Sequence, residues 1–282
     1  MARREQRRMR VVFAGLLSAV CLLPLGRLRA QGVRVEFHAV TREAVQERLR
    51  TVSPKDSERE AELKSLFQEA GCGAIDEQVV ARKDPPNITC TLPGMTESLI
   101  LVGAHSDHVE QGLGAVDDWS GASLLPSLFQ ALKDSPRKHT FAFIGFTDEE
   151  KGLVGSNFYV KHLPQEWLAK IRATVNLECL GLGPTEVWAD VANPELLEHF
   201  AGIVRSMQLP LIGVNVERVG NDDTQAFRNK KVPVITLHSL TQSTFPILHT
   251  VKDNLGAVDL DHLYDSYRLI GLYLAYIDQV LN

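Results

Sequence analysis

The sequence is poor in cysteine and has no apolar run long enough to cross a lipid bilayer. Four of its 282 residues are cysteines, so it is not one of the small disulfide-dense scaffolds of secreted proteins. The longest apolar run, residues 11–25, is shorter than the ~20 residues that a membrane-spanning helix needs. Basic residues are not in excess: the formal net charge is −5 and the pI is about 6.0. The charge therefore gives no indication of nucleic-acid binding.

The remaining composition is that of a globular protein, with 44% hydrophobic and 23% charged residues. This provides enough apolar material for one large domain with a sizeable core. No internal repeat, low-complexity tract or linker follows residue 30. We therefore predict a single domain over residues 31–282.

The first 30 residues have a different character. Arginines precede the apolar run, at positions Arg3, Arg4, Arg7, Arg8 and Arg10. A small residue, Ala30, follows the run, and this arrangement is typical of a secretory signal peptide. We predict a signal peptide over residues 1–30, export to the periplasm or the extracellular space, and no stable membrane anchoring after cleavage. An uncleaved anchor is the alternative.

Export permits disulfide bonds, and three cysteines lie outside the predicted signal peptide. Cys72 and Cys90 are the pair that we consider, although spacing alone does not establish a bond between them. Cys179 lies at the end of an apolar segment, where we expect a buried thiol.

Hydrophobic periodicity and chain breakers indicate strands that alternate with helices. Helices are predicted at residues 42–50, 57–70, 120–133, 153–162, 165–171, 195–206, 224–228 and 260–281. Strands are predicted at residues 74–82, 87–92, 99–104, 140–146, 173–177, 186–189 and 232–237. This alternation is typical of an α/β fold, and we predict a three-layer αβα sandwich with a mixed, mainly parallel central sheet.

Polar clusters follow two of the predicted strands. They consist of His105, Asp107, His108, Asp117 and Asp118 after residues 99–104, and of Asp148, Glu149 and Glu150 after residues 140–146. In an open α/β sheet, sites form beyond the carboxyl ends of the strands. Imidazole and carboxylate ligands together suit zinc or a similar divalent ion. We therefore predict a metal site at this edge, with Asp118 as a helix cap, His108 at the rim, and His238 in the pocket lining or the core.

Five segments resemble, in the same order, the motifs of one known family. Residues 103–107 are similar to G-x-H-x-D, residues 117–121 to D-[DN]-x-S-G, residues 149–156 to E-E-x-G-L-x-G-S, residues 176–178 to N-L-D, and residues 249–253 to H-T-x-x-D. Together they resemble the M28 family of co-catalytic zinc aminopeptidases, and the resemblance covers most of residues 60–280.

The resemblance implies a role for each matching side chain. His105 and Glu178 would bind one metal ion, Glu150 and His249 would bind another, and Asp117 would bridge the two. Glu149 would be the general base. Asp107 would fix the tautomer of His105, a common partnership at zinc sites. The implied cofactor is Zn²⁺, with two ions per chain or, as the alternative, one.

The implied reaction is removal of the first residue from peptides with a free N-terminus. Two cations can clamp both the attacking oxygen and the substrate carbonyl oxygen, and zinc lowers the pKa of a bound water to about 7. Glu149 would take the proton of that water and pass it to the leaving amine. The resemblance therefore predicts an exported metallo-aminopeptidase, which we expect to be a monomer.

Two positions depart from the family pattern. Glu178 stands where the family has aspartate, and its extra methylene would shift either the metal or the backbone. Residues 222–227 resemble an S-D-H-x-x-F element, with Thr224 in the histidine position. Asp223 in this element is expected to cap a short helix.

A glutaminyl-cyclase-like transferase is the main alternative, because that family shares the implied fold. Such enzymes use one zinc ion and release ammonia from an N-terminal glutamine. Residues 222–223, 245–246, 249–250 and 253–254 also resemble them. The unbroken segment 149–156 favours the peptidase, since the cyclases have an insertion after the glutamate pair. The same scaffold would also accommodate a carboxypeptidase, an amidohydrolase or a non-catalytic binding protein.

Overall fold

The central sheet has eight strands, and those in its middle run parallel. The computed structural model describes residues 7–12, 34–82, 84–209, 213–214 and 220–282. In chain order, its strands are β1 (Arg7–Val12), β2 (Arg34–Ala39), β3 (Ile75–Gln78), β4 (Asn87–Leu92), β5 (Leu99–His105), β6 (Thr140–Phe146), β7 (Ile171–Glu178), β8 (Glu186–Trp188), β9 (Gly213–Val214) and β10 (Val234–His238). The order across the sheet is β3-β4-β6-β5-β7-β10-β8-β9, with β6, β5, β7 and β10 parallel. The other pairings include antiparallel ones, so the predicted mixed, mainly parallel sheet is confirmed.

Helices cover both faces of this sheet. They are α1 (Arg42–Leu49), α2 (Asp56–Ala70), α3 (Trp119–Ala122), α4 (Leu125–Leu132), α5 (Val154–His162), α6 (Gln165–Leu168), α7 (Pro194–Ser206), α8 (Thr224–Arg228) and α9 (Leu260–Val280). Alternate residues of a strand point to opposite faces. Accordingly, Ile100 and Val102 share a core with α2, α4, α7 and α9, whereas Leu101 shares a second core with α5 and α8. The predicted three layers are confirmed.

Strand β2 lies outside the central sheet and has no counterpart among the predicted elements. It pairs antiparallel with β1 and packs on α4 and α9. Val35, Phe37 and Ala39 are buried in alternation, so a period-two signal was present in the sequence. Strand β1 lies within the predicted signal peptide. The rest of that predicted segment, apart from β1, lies outside the described residues.

Several predicted boundaries need correction, and proline explains the largest one. The predicted helix 120–133 is two helices, α3 and α4, with Pro126 in the first turn of α4. Proline has no backbone N–H, so it cannot continue the hydrogen-bonding pattern from the turn before it. The predicted helix 165–171 ends at Leu168, and Ile171 already begins β7. The predicted strand 74–82 is shorter, at Ile75–Gln78.

The three cysteines outside the predicted signal peptide have the states considered in the sequence analysis: one disulfide pair and one buried thiol. Cys72 and Cys90 form a disulfide bond with a Cα–Cα distance of 6.3 Å, which joins the segment after α2 to β4. Cys179 is a free, buried thiol. Among the helices of the described residues, none combines the length and the apolar character that a membrane crossing requires.

Candidate metal centre

The predicted site residues come from neighbouring parallel strands. His105 is the last residue of β5, Glu178 is the last residue of β7, and Glu149 and Glu150 follow β6. Because β6, β5 and β7 are adjacent and parallel, their carboxyl ends meet at one edge of the sheet. The late loop that follows residues Phe245–Ile247 brings His249 to the same edge.

Asp117 lies between the two histidines and presents one oxygen to each. Its Oδ1 is 3.1 Å from Nε2 of His105, and its Oδ2 is 3.2 Å from Nε2 of His249. One carboxylate thus divides the site into two halves. This is the geometry that a carboxylate needs to bridge two cations.

Each half contains one further carboxylate. Glu178 Oε1 lies 3.4 Å from His105 Nε2, and Glu150 Oε1 lies 3.1 Å from His249 Nε2. The ligand atoms of His105, Asp117 and Glu178 all lie within 4.8 Å of one another, and so do those of Asp117, Glu150 and His249. The structure therefore brings together all five side chains that the sequence predicted as metal ligands.

The additional methylene of Glu178 does not carry its carboxylate out of the site. Asn176 Nδ2 donates a hydrogen bond of 3.1 Å to Glu178 Oε2, which leaves Oε1 directed at His105. Glu178 thus places a carboxylate oxygen beside His105 despite its additional methylene. The residue two positions earlier on the same strand holds it there.

Asp107 links the two clusters of the sequence. Its Oδ1 is 3.4 Å from Nδ1 of His105. Its two oxygens also accept hydrogen bonds from the backbone N–H groups of Glu149 and Glu150, at 3.0 and 3.1 Å. Asp107 therefore holds the glutamate loop, a role that was not predicted, and it lies beside the histidine whose tautomer it is predicted to fix.

The loop that carries Asp117 is held by residues that are distant in sequence. Asp253 accepts hydrogen bonds from the backbone N–H groups of Val116 and Asp117, at 2.7 and 3.1 Å. Asp118 caps α3 as predicted, because its Oδ1 accepts from Gly121 N, and it also accepts from Cys179 N. These two aspartates connect the Asp117 loop to the late loop and to the end of β7.

The predicted cap at α8 is wrong by one residue. Asp222, not Asp223, accepts from the backbone N–H of Thr224, at 2.9 Å. Asp223 makes no side-chain cap. Its two carboxyl oxygens are buried, and burial raises the pKa of Asp223 to about 8. Sequence reasoning missed this because both aspartates precede the helix and either one could serve as its cap.

The site concentrates acidic groups in a buried environment. Burial raises the pKa of Glu149 to about 10, and the charges of Asp223 and Glu178 act in the same direction. Burial and the charge of Asp117 raise the pKa of Glu150 to about 7. The hydrogen bond to Asp117 raises the pKa of His249 to about 9. Such an acidic cluster is favourable only with a compensating positive charge.

A cavity of about 540 Å³ opens above these side chains. Its acidic lining is Asp117, Glu149, Glu150, Glu178 and Asp222, and its apolar lining includes Leu153, Trp188, Leu240, Phe245 and Leu248. His238 lines it as well, as the sequence allowed. His108 belongs to neither ligand group; its Nδ1 is 2.7 Å from Asp56 Oδ1 instead.

Comparison with known sequences identifies the family. Peptidase family M28 matches residues 87–274, which is more than half of the chain. A probable leucine aminopeptidase of Trichophyton verrucosum is 26% identical over 230 residues, which cover 74% of this chain and 60% of that protein. The chain spans about 60% of the length of the first curated relatives that it matches.

Solved structures share the fold at lower identity. BSAP, a zinc aminopeptidase from Bacillus subtilis, is 23% identical, with a TM-score of 0.63, and the match covers 68% of this chain and 50% of that one. A glutaminyl cyclase from an Acidobacteriales bacterium is 18% identical, with a TM-score of 0.68 and coverage of 94% and 99%. Both likenesses concern the fold alone. The family assignment rests on the sequence match over residues 87–274, and by that match the chain belongs to peptidase family M28.

Proposed function

We propose that this protein is a zinc-dependent aminopeptidase that removes the first residue from peptides with a free N-terminus. The observation that carries the proposal is the position of Asp117, which presents one carboxylate oxygen to each of two histidine-containing ligand groups. Family membership and the leucine aminopeptidases among the relatives support the reaction class.

The donor set fits two zinc ions. Each group has one imidazole nitrogen and carboxylate oxygens, which zinc accepts as ligands. Glu150 Oε1 supports this fit: it is buried and 3.1 Å from His249 Nε2, yet it makes no hydrogen bond to any residue that the structure describes. A cation between two such atoms accounts for that arrangement. The similarity to a zinc aminopeptidase supports zinc as the metal.

When bound, the two ions would polarise the scissile carbonyl group and make a water molecule nucleophilic near neutral pH. Glu149 would take the proton from the attacking water and deliver it to the leaving amine. Its location supports this role, because it lines the cavity and its backbone is anchored to Asp107. Positive charge nearby favours the ionised form, so the metals would lower the pKa of Glu149 and make it a base.

We also propose that the protein is exported after cleavage of residues 1–30. The arrangement of basic and apolar residues at the N-terminus supports this proposal. The Cys72–Cys90 disulfide supports it independently, because such bonds persist in oxidising compartments.

A glutaminyl cyclase is the second candidate. The fold similarity to a cyclase over 94% of this chain favours it. Two intact ligand groups favour the peptidase instead, because the cyclases use a single zinc ion.

One peptide assay separates the two activities. Zinc-loaded protein from residue 31 onward is incubated with peptides that carry a free, an acetylated or a glutamine N-terminus, and the product masses are followed with and without a chelator. Loss of single N-terminal residues, blocked by acetylation and by the chelator, is the expected result. Loss of ammonia from glutamine peptides alone would contradict the aminopeptidase proposal.

A further inference from the structure

The cavity extends sideways from the metal ligands over β10 and β8. His238 is the last residue of β10, and it is the cross-strand partner of Glu178 on one side and of Glu186 on the other. Because the sheet order is β7-β10-β8, His238 lies beyond Glu178 as seen from Asp117. Trp188 at the end of β8 lines the same part of the cavity.

This part of the cavity, called the lobe below, is lined by His238 and Trp188, and His238 is more buried than the residues near His249. His238 is only 2% exposed. At the other end, the side chain of His249 is 55% exposed, and Phe245 is 38% exposed. An enzyme that removes one terminal residue must let the rest of the peptide leave through the more exposed end. The first side chain of the substrate then enters the lobe over β10.

The hydrogen bonds of His238 determine which group it offers to this lobe. The backbone N–H of Leu240 donates to Nδ1 of His238, at 3.0 Å. Nδ1 must therefore be unprotonated, and in a neutral imidazole the hydrogen is then on Nε2. The geometry thus leaves an Nε2–H donor.

This donor has no partner within the part of the chain that the structure describes. Nε2 of His238 is buried and makes no hydrogen bond there. A buried donor without a partner is unfavourable because it has lost its hydrogen bond to water, and the cavity is the open space next to this ring. A ligand that brings a hydrogen-bond acceptor into the lobe would recover that cost.

We propose that the Nε2–H of His238 donates a hydrogen bond to the first side chain of the substrate and selects neutral side chains that carry an acceptor. The amides of asparagine and glutamine fit this description. This inference rests on the aminopeptidase activity proposed above and specifies its substrate class.

The charges that line the cavity limit further which first side chains of the substrate fit the lobe. Asp and Glu side chains also carry acceptors, but the lining holds five carboxyl groups, at Asp117, Glu149, Glu150, Glu178 and Asp222. Their number exceeds the four positive charges that two zinc ions would add, so the lining disfavours a further negative charge. Lysine and arginine side chains offer only donors, which cannot pair with another donor. Leucine fits the apolar wall but leaves Nε2–H unpaired. An amide side chain meets both requirements.

The test compares asparagine with leucine as the first residue of otherwise identical peptides, because these side chains have similar size and shape. The quantity measured is the asparagine-to-leucine ratio, which is kcat/KM for the asparagine peptide divided by kcat/KM for the leucine peptide. Products are followed by mass. Two variants are matched: H238F removes both ring nitrogens, and H238Q loses the acceptor for Leu240 but keeps an N–H donor near the position of Nε2. Melting temperature and zinc content are measured for each.

We expect the wild-type enzyme to favour asparagine, and H238F to lower the asparagine-to-leucine ratio roughly two- to tenfold, because a hydrogen bond contributes roughly 0.5–1.5 kcal/mol and about 1.4 kcal/mol is a tenfold change. H238Q should restore much of the ratio, which a structural role for the Leu240 contact would not do. If H238F leaves the ratio unchanged, this inference alone is overturned. The same holds if H238F lowers kcat/KM equally for both peptides, because the ratio then stays the same. Failure of the wild-type enzyme to hydrolyse any peptide would instead overturn the proposed function on which it rests.

Discussion

Asp117 is the residue on which the proposed two-ion site depends. Its oxygens face His105 and His249 separately, at 3.1 and 3.2 Å. Removing one histidine should therefore empty one half of the site and leave the other half its remaining ligands. We expect H105A and H249A each to bind one zinc ion per chain, measured by elemental analysis after dialysis, and D117A to bind neither ion tightly.

His108 provides the matched control. It lies three residues from His105 but pairs with Asp56 and belongs to neither ligand group. H108A should keep the zinc content of the wild-type protein. Full zinc content in both H105A and H249A would show that the ions are not held by these two groups.

Glu149 is the residue that we expect to move the proton. E149Q keeps the shape of the side chain and removes its basicity, so turnover should fall about 10²–10⁴-fold, the usual contribution of general acid–base catalysis. Zinc content should stay unchanged, because Glu149 is in neither ligand group. Turnover in E149Q close to the wild-type rate would assign the proton transfer to another group.

Glu60 is a buried carboxyl group in an environment that disfavours its negative charge. Ser106 Oγ lies 3.0 Å from the carbonyl oxygen of Phe146 and 3.1 Å from Glu60 Oε1. A hydroxyl group has one hydrogen, so it cannot donate to both oxygens. Ser106 therefore gives Glu60 Oε1 at most a shared hydrogen bond, and Glu60 Oε2 has no hydrogen-bond partner within the described residues. Burial raises the pKa of Glu60 to about 8, in agreement with this.

The raised pKa of Glu60 predicts a dependence of stability on pH. The folded state holds the proton more tightly than the unfolded state, whose glutamate has its ordinary pKa of 4.5. This group's contribution to the free energy of unfolding is therefore lost as pH rises from about 4.5 to about 8. E60Q, which does not titrate, should gain stability relative to the wild-type protein between about pH 5 and pH 8 in urea unfolding. A difference that does not vary with pH would contradict the raised pKa of Glu60.

At the scale of elements, the disulfide joins β4 to the segment after α2 across a sequence separation of 18. Closing a loop of this length restricts the unfolded chain, and the loss of the bond should cost about 3 kcal/mol. We expect the double variant C72A/C90A to show this decrease in denaturant unfolding. A reducing agent should bring the wild-type protein to the same stability and leave the variant unaffected. Equal stability of both proteins without reductant would mean that the bond contributes nothing.

Elements with a strong local signal were predicted most accurately. The strands Asn87–Leu92 and Thr140–Phe146 and the helix Thr224–Arg228 have the predicted bounds, because apolar runs and breakers mark both ends. Helix 120–133 was wrong because its apolar spacing hid the effect of Pro126. The strand Arg34–Ala39 was missed although its alternation is visible, since it lies just after the segment interpreted as a signal peptide.

At the scale of the whole molecule, the sequence predicted which side chains come together at the candidate metal centre. It did not predict the hydrogen bonds that hold the loops carrying them. The ligand positions follow from motifs at strand ends. The Asp253 bonds to Val116 and Asp117, and the Asp107 bonds to the glutamate loop, join segments more than forty residues apart. No local pattern encodes such contacts. The Nε2–H of His238 was missed for another reason. It depends on a local turn that directs the N–H of Leu240 to the other ring nitrogen, and motif matching does not give ring tautomers.

The central claim is that two zinc ions on either side of Asp117 support hydrolysis of the N-terminal peptide bond. It is tested most directly by titrating zinc into chelator-treated protein from residue 31 onward and measuring bound zinc and peptide hydrolysis in the same samples. We predict two ions per chain at saturation and hydrolysis that requires a free N-terminus. Saturation at one ion, with ammonia released from glutamine peptides and no residue removed, would contradict the claim.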